Sequence, residues 1–271
     1  MITTSLLNLL HDFGSISLFF KKVFLTLLRT RGNLIPILNQ IASISIRSLP
    51  TVAFAGVFVG AILVLQFNLI LSAYDAQVFL GGLNTSAVVR EVGPLIISFL
   101  LAGKIGAYTA AELGTMRVTE QIDAIECLGT DPIQYLVVPR MAGIVVSSAI
   151  LLMLGLLISI AGSMAVAATA CGVNPWEFTA SIPQFTSIST VVSGMIKSMV
   201  YGIIVAGVAC HQGYTATGGA RGVGRAVTMA AIYTNFYIVI ANYFTSGFLE
   251  FAEHWIQILG AQAGLGLGKA L

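Results

Sequence analysis

Glu112–Asp131, which reads ELGTMRVTEQIDAIECLGTD, is the stretch that decides how the rest of the chain is read. It holds five of the eleven acidic residues, in a protein only 9% charged, and long apolar runs flank it on both sides. If those runs cross a bilayer, this is a water-exposed connection with a structure of its own. Thr119 has the chemistry of an N-cap. Glu120 and Gln121 follow it, with Asp123 just behind, so carboxylates sit at the positive end of a helix dipole. Gly129 suits the left-handed residue just past a helix end. Val118, Ile122, Ile125 and Leu128 recur at steps of three or four, while Glu120, Asp123 and Glu126 share another side. The pattern predicts a short two-faced helix at a membrane surface, over residues 118–128. Asp131–Pro132 then reads as the N-cap and first residue of the next helix.

Composition supports the premise. The chain is 57% hydrophobic with a net charge of +2 and a mean hydropathy of +0.93. A soluble protein of this size would carry about 25% charged residues, so the chain reads as an integral membrane protein. Near-neutral charge speaks against a nucleic-acid partner. Cys127, Cys171 and Cys210 are spaced too widely for a zinc site or a disulfide framework and read as small apolar residues. The N-terminus lacks the basic region and cleavage site of a signal peptide.

Outward from the central stretch, residues 1–50 form a mixed arm in which Lys21, Lys22, Arg29, Arg31 and Arg47 interrupt apolar runs. None of those runs reaches the ~20 residues a crossing needs, so the arm reads as one or more interfacial helices. Thr51–Tyr74 is uncharged and, at about 1.5 Å per residue, long enough for a tilted span. A polar interval, Asp75–Glu91, contains Gly81-Gly82-Leu83-Asn84. Val92–Ala111 is a second span, rich in small residues that let helix backbones approach closely. Met141–Val173 is uncharged for 33 residues, so it is either one long tilted helix or a helix broken near Gly155 or Gly162. Asn174–Ser187 reads as a loop with an interfacial tryptophan. Ile188–Tyr214 and Ala226–Leu249 are the fourth and fifth spans, joined by the glycine-rich loop Thr217–Arg225. The five-span region covers residues 51–250, with spans near 51–74, 92–111, 141–173, 188–214 and 226–249, and 251–271 is a frayed tail. The fold class is therefore an all-α integral membrane protein with interfacial N-terminal helices, five transmembrane helices and a short cytoplasmic helix between spans two and three. Basic residues outside the spans number nine on the side of the N-terminus, the central stretch and the glycine loop, against two, Arg90 and Lys269, on the other. The positive-inside rule puts the former in the cytoplasm, and the C-terminus opposite.

Catalytic chemistry finds no foothold. There is no Gly-x-x-x-x-Gly-Lys-Ser/Thr loop, and Gly219–Arg225 lacks its lysine and follows no strand, so a tight turn with close helix packing is the reading there. His11, His211 and His254 are far apart and suggest no metal site. Two lysines lie inside spans, where a charge is costly and marks a functional candidate. Lys197 either faces a substrate path or pairs with a neighbouring helix, and Lys104 is structural or part of the path. Arg90-Glu91 reads equally as a surface pair or as a substrate portal.

Several of these segments together resemble the MlaE-type permeases, membrane subunits of the MCE-associated ABC transporters that move phospholipids and other lipids between the membranes of diderm bacteria. The segments are Glu91-Val92-Gly93-Pro94, Ala102–Ala107, the long block from Ala111 to Ala124, Asp131-Pro132, Val138-Pro139-Arg140 and Gly218–Gly224. Lys104 departs from the family pattern, standing where many relatives have arginine. The resemblance implies a homodimer whose coupling helix docks into a dimeric cytoplasmic ATPase. The docking positions carried over are Arg117, Thr119, Glu120, Gln121, Ile122, Asp123, Ala124 and Glu126, with the apolar face filling the ATPase groove. It also implies a lipid cavity opening toward a periplasmic MCE-domain protein, with Arg90, Glu91 and Lys197 on the path. Catalytic residues, metal and cofactor are expected to be absent from this chain, with ATP and magnesium held by the partner. The setting implied is the inner membrane. An ion-coupled secondary transporter built on the intramembrane lysines is the alternative.

Overall fold

The computed structural model describes residues 14–16, 18–23, 25–26 and 34–262. Arg29, Arg31, His11 and the tail from Ala263, with Lys269, lie outside the described residues. Among those described there is no strand; the chain is helical almost throughout. After the helical residues 14–16, 18–23 and 25–26, the elements are α1 (Leu34–Ser72), α2 (Gln77–Val118), α3 (Gln121–Cys127), α4 (Ile133–Ala170), α5 (Pro175–Phe185), α6 (Ile188–Tyr214) and α7 (Gly219–Gln262). α1, α2, α4, α6 and α7 are the five helices long and apolar enough to cross a membrane.

Several boundaries differ from the sequence reading. α2 continues past Ala111 to Val118, α4 starts at Ile133 rather than Met141, and α7 runs to Gln262, so residues 251–262 are helix and not a frayed tail. Four further differences have a local cause. α1 begins at Leu34 rather than near Thr51, because Pro36 falls in its first turn, where a missing N–H costs little, and Pro50 is carried within the helix. α2 begins at Gln77, so the Gly81-Gly82 segment is helical and not a polar loop. Most of Asn174–Ser187 is helical too, over Pro175–Phe185: Asn174 caps α5 by accepting from the Trp176 N–H at 2.9 Å, and Pro175 occupies the first position. α7 starts at Gly219, so most of the glycine-rich loop forms its first two turns. Thr215–Gly218 make the connection, with Gly218 (φ 89°) and Gly219 (φ 66°) supplying its left-handed residues, and a Cβ on Gly222 would lie 1.8 Å from the Thr217 carbonyl oxygen.

The residues form two compact units. The first comprises Met1–Ser45, Leu101–Ser147 and Gly202–Ile238. Its core is Phe19, Val23, Leu113, Ile122, Ile133, Leu136, Val137, Val138 and Cys210. The N-terminal helical residues are pinned here by ring packing: Phe20 occupies the space a side chain at Gly207 would need, and Phe19 meets His211 edge-on at 5.5 Å. Gly106 of α2 packs on Val205 and Ala209 of α6, while a Cβ on Gly213 would stand 2.8 Å from the Ala110 carbonyl oxygen. The small residues thus bring α2 and α6 into backbone contact.

The second unit comprises Ile46–Leu100, Ser148–Tyr201 and Val239–Leu271. α4 runs unbroken from Val138 to Ala170 after an initial wide turn, so the glycines that suggested a break serve packing instead. Gly56 and Gly60 on α1 lie against Gly155 and Ser159 on α4, and Gly162 lies against the Val57 backbone. In the same unit, Gly81 and Gly82 seat α2 on α5. A Cβ on Gly81 would fall 2.0 Å from the Phe178 carbonyl oxygen, and the Gly82 N–H donates to Ser181 Oγ at 2.9 Å.

Candidate functional sites

The first site is the corner between α2 and α4. α2 ends at Val118, and the chain turns through Thr119 and Glu120. Thr119 does not cap α3; its hydroxyl donates back to the Thr115 carbonyl at 2.8 Å, which closes α2. The capping position of α3 falls on Glu120, which is left-handed at φ 60° and makes no side-chain cap. A non-glycine residue in that conformation carries about 1–2 kcal/mol of strain, held by the helices on either side. At the other end the Gly129 N–H donates to the Glu126 carbonyl and the Thr130 N–H to that of Ile125, with Gly129 at φ 78°. This is a Schellman closure at the position the sequence marked. Asp131 then caps α4, its carboxylate accepting from the Ile133 N–H at 2.9 Å.

Burial sorts the faces of α3. Ile122 is fully buried in the first unit's own core, with Ile125 half-buried beside it. The apolar face expected to enter a partner is therefore turned inward. What α3 exposes is Gln121, Ala124, Glu126, Cys127 and Leu128, the last 83% exposed, with Thr119 and Glu120 at the corner. Arg117 and Asp123 form an ion pair across the corner, and Arg140 at the foot of α4 pairs with Glu112 at 3.1 Å. The exposed face is thus acidic and small-apolar, rigidly tied to the ends of α2 and α4.

The second site lies within the second unit. Residues Val88–Val92 of α2 form a π turn, the Gly93 N–H reaching back to the Val88 carbonyl. Pro94 explains part of this geometry. It has no N–H to offer the Arg90 carbonyl four residues earlier, and its ring crowds that oxygen. The Lys197 ammonium takes the vacated role, donating to the Arg90 carbonyl at 3.0 Å. Gly194, one turn before Lys197, allows the approach, since a Cβ there would stand 2.7 Å from the Val89 carbonyl oxygen. Lys197 also donates to Glu91 Oε1 at 2.5 Å and to Ser246 Oγ at 2.9 Å. Ser246 in turn donates to the Glu91 carboxylate at 3.0 Å. All three ammonium protons are thereby engaged, and the lysine side chain is 4% exposed while that of Glu91 is 42% exposed. Of the two readings of Lys197, the structure shows the buried interhelical pair; the group that reaches open space is the carboxylate.

A neighbouring set extends the site. The Tyr201 hydroxyl donates to Asn242 Oδ1 at 2.7 Å and lies 3.0 Å from Thr245 Oγ1. Asn242, Thr245 and Ser246 fall at i, i+3 and i+4 on α7, matching Lys197 and Tyr201 at i and i+4 on α6. Sequence reasoning passed over these residues. The signal was a polar triplet at helical spacing inside an uncharged span. Lys104 belongs to the first unit, exposed in a second π turn, Ala102–Gly106, with exposed Tyr108 one turn on.

Comparison with known proteins agrees with this architecture. The profile of the family Permease MlaE matches residues 37–248. A probable ABC transporter permease protein of Rickettsia conorii is 37% identical over 230 residues, 85% of this chain and 89% of its own length. One from Synechocystis is 37% identical over 225 residues, 83% and 86% of the two chains. The chloroplastic protein TRIGALACTOSYLDIACYLGLYCEROL 1 of Arabidopsis thaliana is 34% identical over 211 residues, 78% of this chain and 60% of its own. The profile spans most of the five long helices and both sites, and the chain accordingly belongs to the MlaE permease family, as a multi-pass membrane permease of the ABC transporter kind.

Proposed function

We propose that the chain is the non-catalytic permease subunit of an ATP-driven lipid transporter in the inner membrane of a diderm bacterium. It works as a homodimer with a dimeric cytoplasmic ATPase and exchanges phospholipid with a periplasmic MCE-domain protein. The N-terminus and α3 face the cytoplasm, following the positive-inside distribution of Lys and Arg. The observation that carries the reading is α3 itself. A seven-residue helix closed by a Schellman turn and tied by ion pairs to two long helices is a rigid lever, of use only if something pushes on it. Its exposed acids and Leu128 are the docking surface, while Ile122 transmits the push into the core. Arg117, Thr119, Gln121, Asp123 and Ala124 shape or line that surface. ATP and magnesium belong to the partner ATPase.

Glu91 and Arg90 form the polar wall of the path, and Lys197 holds them in place. Against an ion-coupled carrier stands the engagement of Lys197, whose ammonium is held by three acceptors in a buried interhelical pair. Native mass spectrometry of the gently purified protein tests the proposal. Two copies of this chain with two ATPase subunits and retained phospholipid are expected. A lone chain without ATPase or lipid, transporting on a proton gradient alone, overturns it.

A further inference from the structure

In the second unit the charges and the neutral polar groups are divided between helices. Glu91 sits on α2 and Lys197 on α6, whereas Ala226–Leu249 of α7 has no charge and meets them with Asn242, Thr245 and Ser246. If α7 leaves, the Lys197 ammonium keeps the Glu91 carboxylate and the Arg90 carbonyl, so no ion pair is opened in a medium of low dielectric. What is lost is a few hydrogen bonds of hydroxyl and amide groups, each worth about a threefold change in an equilibrium between membrane helices. α2 and α6 are bound more firmly: Gly194 packs directly on the Val89 backbone beside the ion pair. α6 is also clasped to α4 by Ser148 and Ser198, each donating to the other's carbonyl at 3.0 and 2.9 Å.

We propose that residues 239–250 of α7 are the moving wall of the path, and that Asn242, Thr245 and Ser246 are the latch docking them on a fixed base of Lys197, Glu91 and Tyr201. The bonds the latch gives up leave Glu91 and the Tyr201 hydroxyl without α7, ready for the hydrogen-bonding groups of a lipid head. The inference rests on the transport reading in that a nucleotide cycle drives the opening.

The test is hydrogen–deuterium exchange of the permease with its ATPase, in nanodiscs of phosphatidylethanolamine and phosphatidylglycerol, without nucleotide and trapped with ADP and vanadate. Backbone exchange follows the population of the open form. Ser246→Ala and Tyr201→Phe are each expected to raise exchange of peptides within 239–250 about threefold without nucleotide. Peptides around Lys197 should stay at the wild-type rate, and Ser246→Thr, which keeps the hydroxyl, should restore it. Wild-type exchange in both variants, or equal loosening of α6 and α2, overturns the latch. The expected nucleotide-free pattern together with no response to trapping would count against the transport cycle and leave the latch standing.

Discussion

Lys197→Met removes the ammonium and keeps most of the side-chain volume, so it isolates the polar role of this residue. Three acceptors lose a donor: the Arg90 carbonyl, Glu91 Oε1 and Ser246 Oγ. Breaking a fully buried ion pair costs about 3–5 kcal/mol. Because the Glu91 side chain is 42% exposed, water takes over part of its solvation, and about 2 kcal/mol is the appropriate figure here. The Arg90 carbonyl, which Pro94 cannot serve, adds about 1 kcal/mol when left without the lysine. The total expected is about 3 kcal/mol, or a fall in melting temperature on the order of 6–12 °C at about 2–4 °C per kcal/mol. Glu91→Gln keeps an acceptor for Ser246 and Lys197 and should cost about 1 kcal/mol. The double variant should cost about 2 rather than 4 kcal/mol, since a neutral amide no longer needs a counter-charge. Thermal unfolding in nanodiscs, followed by tryptophan fluorescence, measures all three. Stability of Lys197→Met within about 0.5 kcal/mol of wild type, or strict additivity in the double variant, refutes the account.

Other variants probe the corner and the packing. Glu120→Lys and Asp123→Lys should weaken ATPase association and uncouple transport while leaving the fold intact, both positions being at the surface; co-purification and lipid-transfer assays with wild-type values would sink the docking role of α3. Glu120→Gly relieves the left-handed residue and should raise stability by about 0.5 kcal/mol, the strain of 1–2 kcal/mol less the greater entropy glycine loses, as read in denaturant titration. Gly81→Ala drives a methyl to 2.0 Å from a backbone oxygen that cannot turn aside, and a loss of at least about 2 kcal/mol is expected in the same titration. Exposed Cys127 should react with a membrane-impermeant maleimide only in inside-out vesicles. Burial pushes the Cys171 thiol up, so a smaller fraction is thiolate at a given pH and its labelling, in right-side-out vesicles, should be the slower and should quicken as pH rises.

The five crossings were legible because their signal is collective: twenty or more residues with at most one charge can be read without knowing a single contact. The ends were not, and the reason is visible at Gly81 and Gly82. In isolation a glycine pair reads as a loop, because its intrinsic preference is for turns; here α5 supplies a backbone surface that only glycine can meet, and packing overrides preference. Gly155 and Gly162 left a break open beside one long helix for the same reason, and the structure shows the long helix, which they bind to its neighbour. Gly129 and the Asp131–Pro132 pair, whose roles depend only on the backbone within a few residues of them, read correctly. Thr119 did not, since its hydroxyl had a carbonyl behind it to satisfy before any N–H ahead.

The same division between local and collective signals governs the sites. That Lys197 had to be explained was plain from its place in an apolar run, because a charge there must find partners. Which partners it found depended on Pro94, a hundred residues away and read only as part of a motif. Pro94 has no N–H for the Arg90 carbonyl; the helix widens; the ammonium of α6 donates to that carbonyl; and Glu91, fixed by the same ammonium, is left facing outward. A lysine that looked like the binding group of a path is thus the post on which a carboxylate is hung. On the proposed lipid path the consequence is specific: the group a head meets at Glu91 is an anionic acceptor, so an amine-bearing head gains a charge-assisted hydrogen bond there, whereas a bare phosphate meets a like charge. Transfer rates compared between phosphatidylethanolamine and phosphatidic acid should favour the former, and the preference should shrink in Glu91→Gln; an unchanged ratio in that variant would remove Glu91 from the path.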